Sequence, residues 1–192
     1  MITDNLKPID TSNQQDILWL AMQRSLLIDR LIVCDMIDWY VDMDGVLADF
    51  DAHYFNTFGT VTDIAKNNVD WDAVNADKDF FFNIPPKPDM QDLWNFLMPF
   101  NPKVLTGVPK VFSEQATENK ERWIRKHLGN NVEVICTQSA NKYRYCKPGD
   151  ILIDDWERYK EKWLNAGGIW ITHTSAAQTI GEIKEMLNSV QA

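Results

Sequence analysis

A chain of 192 residues with 45% hydrophobic and 24% charged residues has the composition of one soluble globular domain with room for a small insertion. Its net charge of −9 and pI near 4.7 argue against a basic footprint for long nucleic acid or an anionic membrane, but not against a small phosphorylated ligand neutralised by a metal. Cys34, Cys136 and Cys146 lack any CxxC spacing, so they read as reduced thiols and a zinc site is not expected.

Residues 1–12 are polar. From Asn13 to about Arg30 the apolar residues Ile17, Leu20, Ala21 and Leu27 recur at helical spacing, with Thr11 or Ser12 as N-cap. This extension, residues 1–37, carries no identifiable chemistry and reads as a packing or homodimer-forming appendage. Arg24, Asp29, Arg30 and Asp35 interrupt its apolar stretch, and Met-Ile-Thr-Asp lacks the positive start of a signal peptide. The expectation is a cytoplasmic protein without a membrane span.

Residues 38–192 form the main domain. Trp39-Tyr40-Val41 is a short apolar strand that runs into Asp42-Met43-Asp44-Gly45. Residues i and i+2 of a strand face the same side, so Asp42 and Asp44 are expected to share one space. Two carboxylates that close repel unless a cation or a proton lies between them. An EF-hand does not fit. Counted from Asp42, the glycine is fourth rather than sixth, and His53 stands twelfth, where the pattern needs Glu. By itself the string also fits a solvated acidic turn.

Ala48 to Phe58 fits a helix ended by Gly59. Residues 59–86 are irregular, hold Trp71, Phe80, Phe81 and Phe82, and close with Pro85-Pro86. That is too long for a simple connection and predicts a small inserted cap over about 51–86. Regular alternation then begins. Asp89–Met98 reads as a helix, Lys103–Leu105 as a strand ending in Thr106-Gly107, and Ser113–Leu128 as a helix stopped by Gly129. Val132–Cys136 and Asp150–Ile153 read as strands, the second ending in Asp154-Asp155. Trp156–Ala166 reads as a helix, Ile169–Thr172 as a strand and Ser175–Leu187 as a last helix. Strands alternating with helices predict an α/β fold with a parallel sheet covered on both faces.

Ligands of such sheets bind outside the C-terminal strand ends. The first strand delivers Asp42 and Asp44 there, the second Thr106, the fourth Asp154 and Asp155, and the loop before the fourth Lys142 and Lys147. Each has a bland explanation, as a cap or a solvated loop. Their joint placement favours a site.

These four groups, in this order, resemble the motifs of the haloacid dehalogenase-like (HAD) phosphatase superfamily. More narrowly, VDMDGVLADF, FFFNIPP, KERWIRKHLG and GDILIDD resemble the 5'(3')-deoxyribonucleotidase family, over roughly residues 38–192. The resemblance implies a three-layer α/β/α HAD-like Rossmannoid fold with a central parallel sheet and a small inserted helical cap. It implies a phosphomonoesterase acting on nucleoside monophosphates through an aspartyl-phosphate on Asp42. Asp44 is then the proton carrier, and Mg2+ is held by Asp42, the backbone carbonyl of Asp44, Asp155 and Asp154. Thr106, Gly107 and Lys142, or alternatively Lys147, are implied to bind phosphate, and Phe50, Trp71 and Phe81 to meet the base. Gly107-Val108-Pro109 stands where the family has a Ser-Pro pair after the threonine, the cap is shorter, and the loop between Thr137 and Gly149 is longer. These departures bear on the substrate more than on the reaction. A sugar phosphatase remains an alternative. A polynucleotide 3'-phosphatase would need a basic groove that the net charge argues against. A non-catalytic binding module fits less well, because Asp42 and Asp44 are both present.

Overall fold

The computed structural model describes residues 37–62 and 69–189; the helix expected over residues 13–30 lies outside them. Strands β1 (Trp39–Val41), β2 (Lys103–Gly107), β3 (Val134–Thr137), β4 (Ile151–Asp154) and β5 (Ile169–Thr172) form one all-parallel sheet in the order β3-β2-β1-β4-β5. Parallel neighbours need a long crossover, which is why helices separate the strands in sequence. Tyr40, Leu105, Leu152 and Trp170 gather with Trp163 on one face. The alternate residues Val41, Val104, Ile153 and Ile171 are buried as well. A sheet buried on both faces needs near-continuous apolar strands, and these supply them.

The helices are α1 (Phe50–Phe58), α2 (Trp71–Ala76), α3 (Phe80–Asn83), α4 (Met90–Leu97), α5 (Ser113–His127), α6 (Lys160–Asn165) and α7 (Ala176–Ser189). Their placement makes this an α/β fold with a central parallel sheet flanked by helices: α3 packs on α5, α4 on α7, and α6 and α7 on β5. None of the helices among the described residues is long and apolar enough to cross a membrane. α5 buries Ala116, Asn119, Lys120, Trp123 and Ile124, one face at helical spacing. Two of these residues are polar, which an ordinary core face avoids.

Three expectations change. Residues 59–86 contain α2 and α3, too short for a helical period to be read from sequence. Polar ties hold α3 and the residues that flank it. Phe82 N–H donates to Asn119 Oδ1, Asn119 Nδ2 donates to Lys78 O, and Trp123 Nε1 donates to Ile84 O at 2.6 Å. The expected helix over Trp156–Ala166 begins as a 3₁₀ turn, Glu157–Tyr159, and becomes α-helical only at Lys160. Asp154 Oδ1 accepts the Trp156 N–H at 2.9 Å, and Trp156 is extended. Finally, β1 ends at Val41, so strand alternation does not place Asp44. A turn does: Leu47 and Ala48 N–H groups donate to Met43 O, and Gly45 adopts φ 78°.

His173, just after β5, is buried, with Nδ1 2.9 Å from Thr179 Oγ1 and Nε2 without a hydrogen-bond partner among the described residues. Burial pushes its pKa down to about 4, with Asp89 opposing the shift and Lys87 adding to it. The unfolded chain takes up this proton near pH 6.5 and the folded chain not until about 4. Stability is therefore full above the upper value and falls as pH drops through the window, by roughly 1–3 kcal/mol. In urea unfolding, the advantage of the wild type over His173→Asn should shrink between about pH 7 and about pH 4. A difference constant across that range would contradict this.

Candidate active site

β1 and β4 are neighbours, with Val41 paired to Ile153. The chain winds from β1 through β2 to β3 on one side and resumes at β4 on the other. The crevice at such a reversal is where open α/β sheets hold ligands. Asp42 leaves β1 with its N–H donated to Ile153 O at 2.9 Å, which sets it beside Asp154 at the end of β4. Asp42, Asp154 and Asp155 each present a ligand atom, and these atoms all lie within 4.8 Å of one another.

Two buried lysines pair with carboxylates of the site, Lys142 within this group and Lys120 at Asp44. Lys142 Nζ lies 2.8 Å from Asp42 Oδ2 and 2.7 Å from Asp154 Oδ2. Burial disfavours its charge, but the Asp154 and Asp42 carboxylates outweigh that and hold its pKa above the usual lysine value. Lys120, fully buried on α5, donates to Asp44 Oδ2, to Thr106 Oγ1 at 2.9 Å and to Gly107 O at 2.7 Å. An ammonium has three donors, and all are engaged. Four carboxylates (Asp42, Asp44, Asp154, Asp155) against two ammonium groups leave two negative charges uncompensated.

Part of that surplus falls on Asp155. Neither lysine forms an ion pair with it among the described residues. Burial, then the Asp42 and Asp154 charges, push its pKa up to about 8. Burial also raises Asp154, with the Asp42 charge adding and Lys142 opposing, and it raises Asp44 against the pull of Lys120. An all-oxygen donor set of this kind suits a hard divalent cation such as Mg2+. Gly45 gives the site its closeness: a Cβ there would collide with the Asp155 carboxylate. At Gly107 a Cβ would collide with Ser139 Oγ.

A cavity of about 180 Å³ opens next to the carboxylates, with Asp44, Gly45, Gly107, Ser139 and Asp155 in its lining. Phe50, Trp71 and Phe81 line it too, beside Val69, Pro109 and Trp156. Phe50 is thus both core and wall, with its ring 6.2 Å from Trp71 and 5.7 Å from Phe80. Asp42, Thr106, Lys142 and Asp154 are buried and are not part of the wall. Asp44 Oδ1 is buried without a hydrogen-bond partner among the described residues.

Of the two lysines weighed from sequence, only Lys142 lies among the carboxylates. Lys147 is exposed and pairs with Asp38, before β1, at 3.0 Å, because Lys147 N–H is tied to Asp150 Oδ2 at the start of β4. The side chain of Asp44 is taken by Lys120 rather than by the Asp42, Asp154, Asp155 cluster. Sequence reasoning missed Lys120. Its signal was a lysine on the helix face that also carries Ala116, Asn119, Trp123 and Ile124, a position where a charge is kept only with a partner.

Removing Lys120 leaves Asp44 without its counter-charge, whereas removing Lys147 breaks a surface pair. Lys120→Met should destabilise the fold by roughly 2–4 kcal/mol in urea unfolding, and Lys147→Met by less than about 0.5 kcal/mol. Equal losses would contradict the assignment of Lys120 to the site. Comparison of the chain with protein-family models and with curated proteins finds no match, so the chemistry of the site rests on its own geometry.

Proposed function

We propose that this chain is a Mg2+-dependent phosphomonoesterase with a HAD-like fold and a small helical cap, acting on deoxyribonucleoside monophosphates. The observation that carries the reading is the Asp42, Asp154, Asp155 cluster beside a cavity lined by both polar and aromatic side chains. Asp42, Asp154 and Asp155 would hold the cation, with the backbone carbonyl of Asp44 as a further ligand. Bound there, Mg2+ supplies the positive charge that lets an anionic carboxylate meet an anionic phosphate.

The remaining chemistry belongs to the chain. A carboxylate oxygen of Asp42 attacks phosphorus as the bond to the leaving oxygen breaks, giving an aspartyl-phosphate and splitting hydrolysis into two easier steps. Asp44 gives a proton to the leaving oxygen through Oδ1, the oxygen that Lys120 does not occupy. It then takes a proton from the water that cleaves the intermediate, a role worth about 10²–10⁴-fold. Lys142 and Thr106 hold charge as it moves onto the non-bridging oxygens, and Gly107 lets the backbone approach the phosphate. Lys120 fixes the Asp44 carboxylate and the Thr106 hydroxyl in one arrangement. The aromatic wall of Phe50, Trp71 and Phe81 takes the base.

Phosphate release should be measured over deoxy- and ribonucleoside 5'- and 3'-monophosphates and sugar phosphates. Activity should require Mg2+, vanish on chelation, and fall by at least about 10³-fold in Asp42→Asn. Turnover that survives chelation or persists in Asp42→Asn would overturn the mechanism. Activity confined to sugar phosphates would overturn the nucleotide assignment alone.

A further inference from the structure

An anion entering the cavity needs hydrogen-bond donors, and most polar side chains in the lining are not donors. Asp44, Asp51 and Asp155 are carboxylates, which when ionised only accept. Thr106 and Lys142 are buried and absent from the lining, and Lys142 is shared between Asp42 and Asp154. Among the described residues, Ser139 brings the one side-chain hydroxyl in the lining. No hydrogen bond engages that hydroxyl among the described residues.

The fold sets this hydroxyl at the end of β2. Gly107 pairs with Thr137 at the end of β3, and Val108 N–H donates to Thr137 O at 2.8 Å. Two residues later Ser139 opens the 3₁₀ helix Ser139–Tyr145. A Cβ built on Gly107 would overlap Ser139 Oγ, so the hydroxyl occupies the space that a side chain at position 107 would take. Gly107 does not have a positive φ, so its backbone would accept a side chain and only the Ser139 hydroxyl bars one. Gly107 directly follows Thr106, the residue already assigned to phosphate. Side chains three apart in a 3₁₀ helix stand in one row. Lys142 therefore shares a row with Ser139, and one short segment serves both the carboxylates and the cavity.

We propose that the Ser139 hydroxyl binds the phosphate group of the substrate, donating its hydrogen to a non-bridging oxygen beside Gly107. The proposal rests on the phosphomonoesterase reading above and holds whichever leaving group the substrate carries. A hydroxyl with no other partner in the fold is free to turn its hydrogen to an anionic oxygen.

Inorganic phosphate has no leaving group, so it probes this contact alone. Its affinity should be measured by calorimetry with Mg2+ present, beside kcat/KM for the best phosphomonoester substrate. Calorimetric stoichiometry reports the folded fraction separately from the affinity, which keeps a variant informative if it folds less well. Ser139→Ala should weaken phosphate binding by about 10–100-fold, the range for a hydrogen bond to a charged group, and lower kcat/KM by at least as much. Adding Gly107→Ser to Ser139→Ala returns a hydroxyl to the vacated space and should recover most of the loss. Phosphate affinity unchanged in Ser139→Ala would overturn the proposal while intact hydrolysis spares the phosphomonoesterase reading. A fall in kcat/KM with phosphate affinity unmoved would also overturn it, assigning Ser139 to the leaving group. A loss that Gly107→Ser does not recover would overturn it too, assigning Ser139 to packing. A wild type that neither binds phosphate nor hydrolyses any phosphomonoester would overturn both readings.

Discussion

Everything distinctive about this molecule depends on forcing carboxylates together where the first and fourth strands end. Two unit charges 4.8 Å apart repel by about 3 kcal/mol at the effective dielectric of a protein surface, and by more as water is excluded. The fold contains that repulsion with two buried ammonium groups, each set between acidic partners or between one acid and the backbone. Lys142 joins Asp42 to Asp154 across neighbouring strands, and Lys120 joins Asp44 to the end of β2. The carboxylate of the four that pairs with neither lysine is Asp155, pressed against Gly45.

The same constraint explains the design of α5. This helix supplies Lys120 to the site, and its next-door residues Asn119 and Trp123 hold the α2–α3 segment through side-chain hydrogen bonds to the backbone. Asp44 and the segment that carries Phe81, both in the cavity lining, are therefore braced from one element. The α2–α3 segment is stitched again at its far end, where Asp49 N–H donates to Pro85 O and Lys87 N–H to Leu47 O. Both bonds fall immediately after the turn that carries Asp42 and Asp44. A change that loosens α5 should thus be felt at the carboxylates and at the ligand wall together.

Much of this was legible in the sequence. The strand–helix alternation, Gly59 and Gly129 as helix stops, and Asp42, Thr106 and Asp154 at or next to strand ends all follow from local rules that tertiary structure here does not override. What escaped was set by contacts distant in sequence. β1 stops one residue before Asp42, so Asp44 reaches the site through a turn rather than through strand alternation. The choice between Lys142 and Lys147 depends on where the loop before β4 is anchored, and Asp150 anchors it at Lys147. Lys120 lies 76 residues from Asp44, and only the packing of α5 brings them together. The α2 and α3 helices are too short to carry a readable period, and α3 is tied in place by Asn119 and Trp123.

On the proposed reading, Asp42, Asp154 and Asp155 form a divalent-cation site whose crowded, buried carboxylates destabilise the metal-free fold. The most direct measurement is the thermal midpoint of the metal-free protein titrated with Mg2+, for the wild type and for Asp155→Asn. A cation bound only by the folded state raises stability with its concentration. The wild type should therefore show a concentration-dependent rise in Tm, which Asp155→Asn largely loses while starting from a metal-free Tm no lower than that of the wild type. A wild-type Tm that Mg2+ leaves unmoved, or an equal rise in both proteins, would contradict the claim.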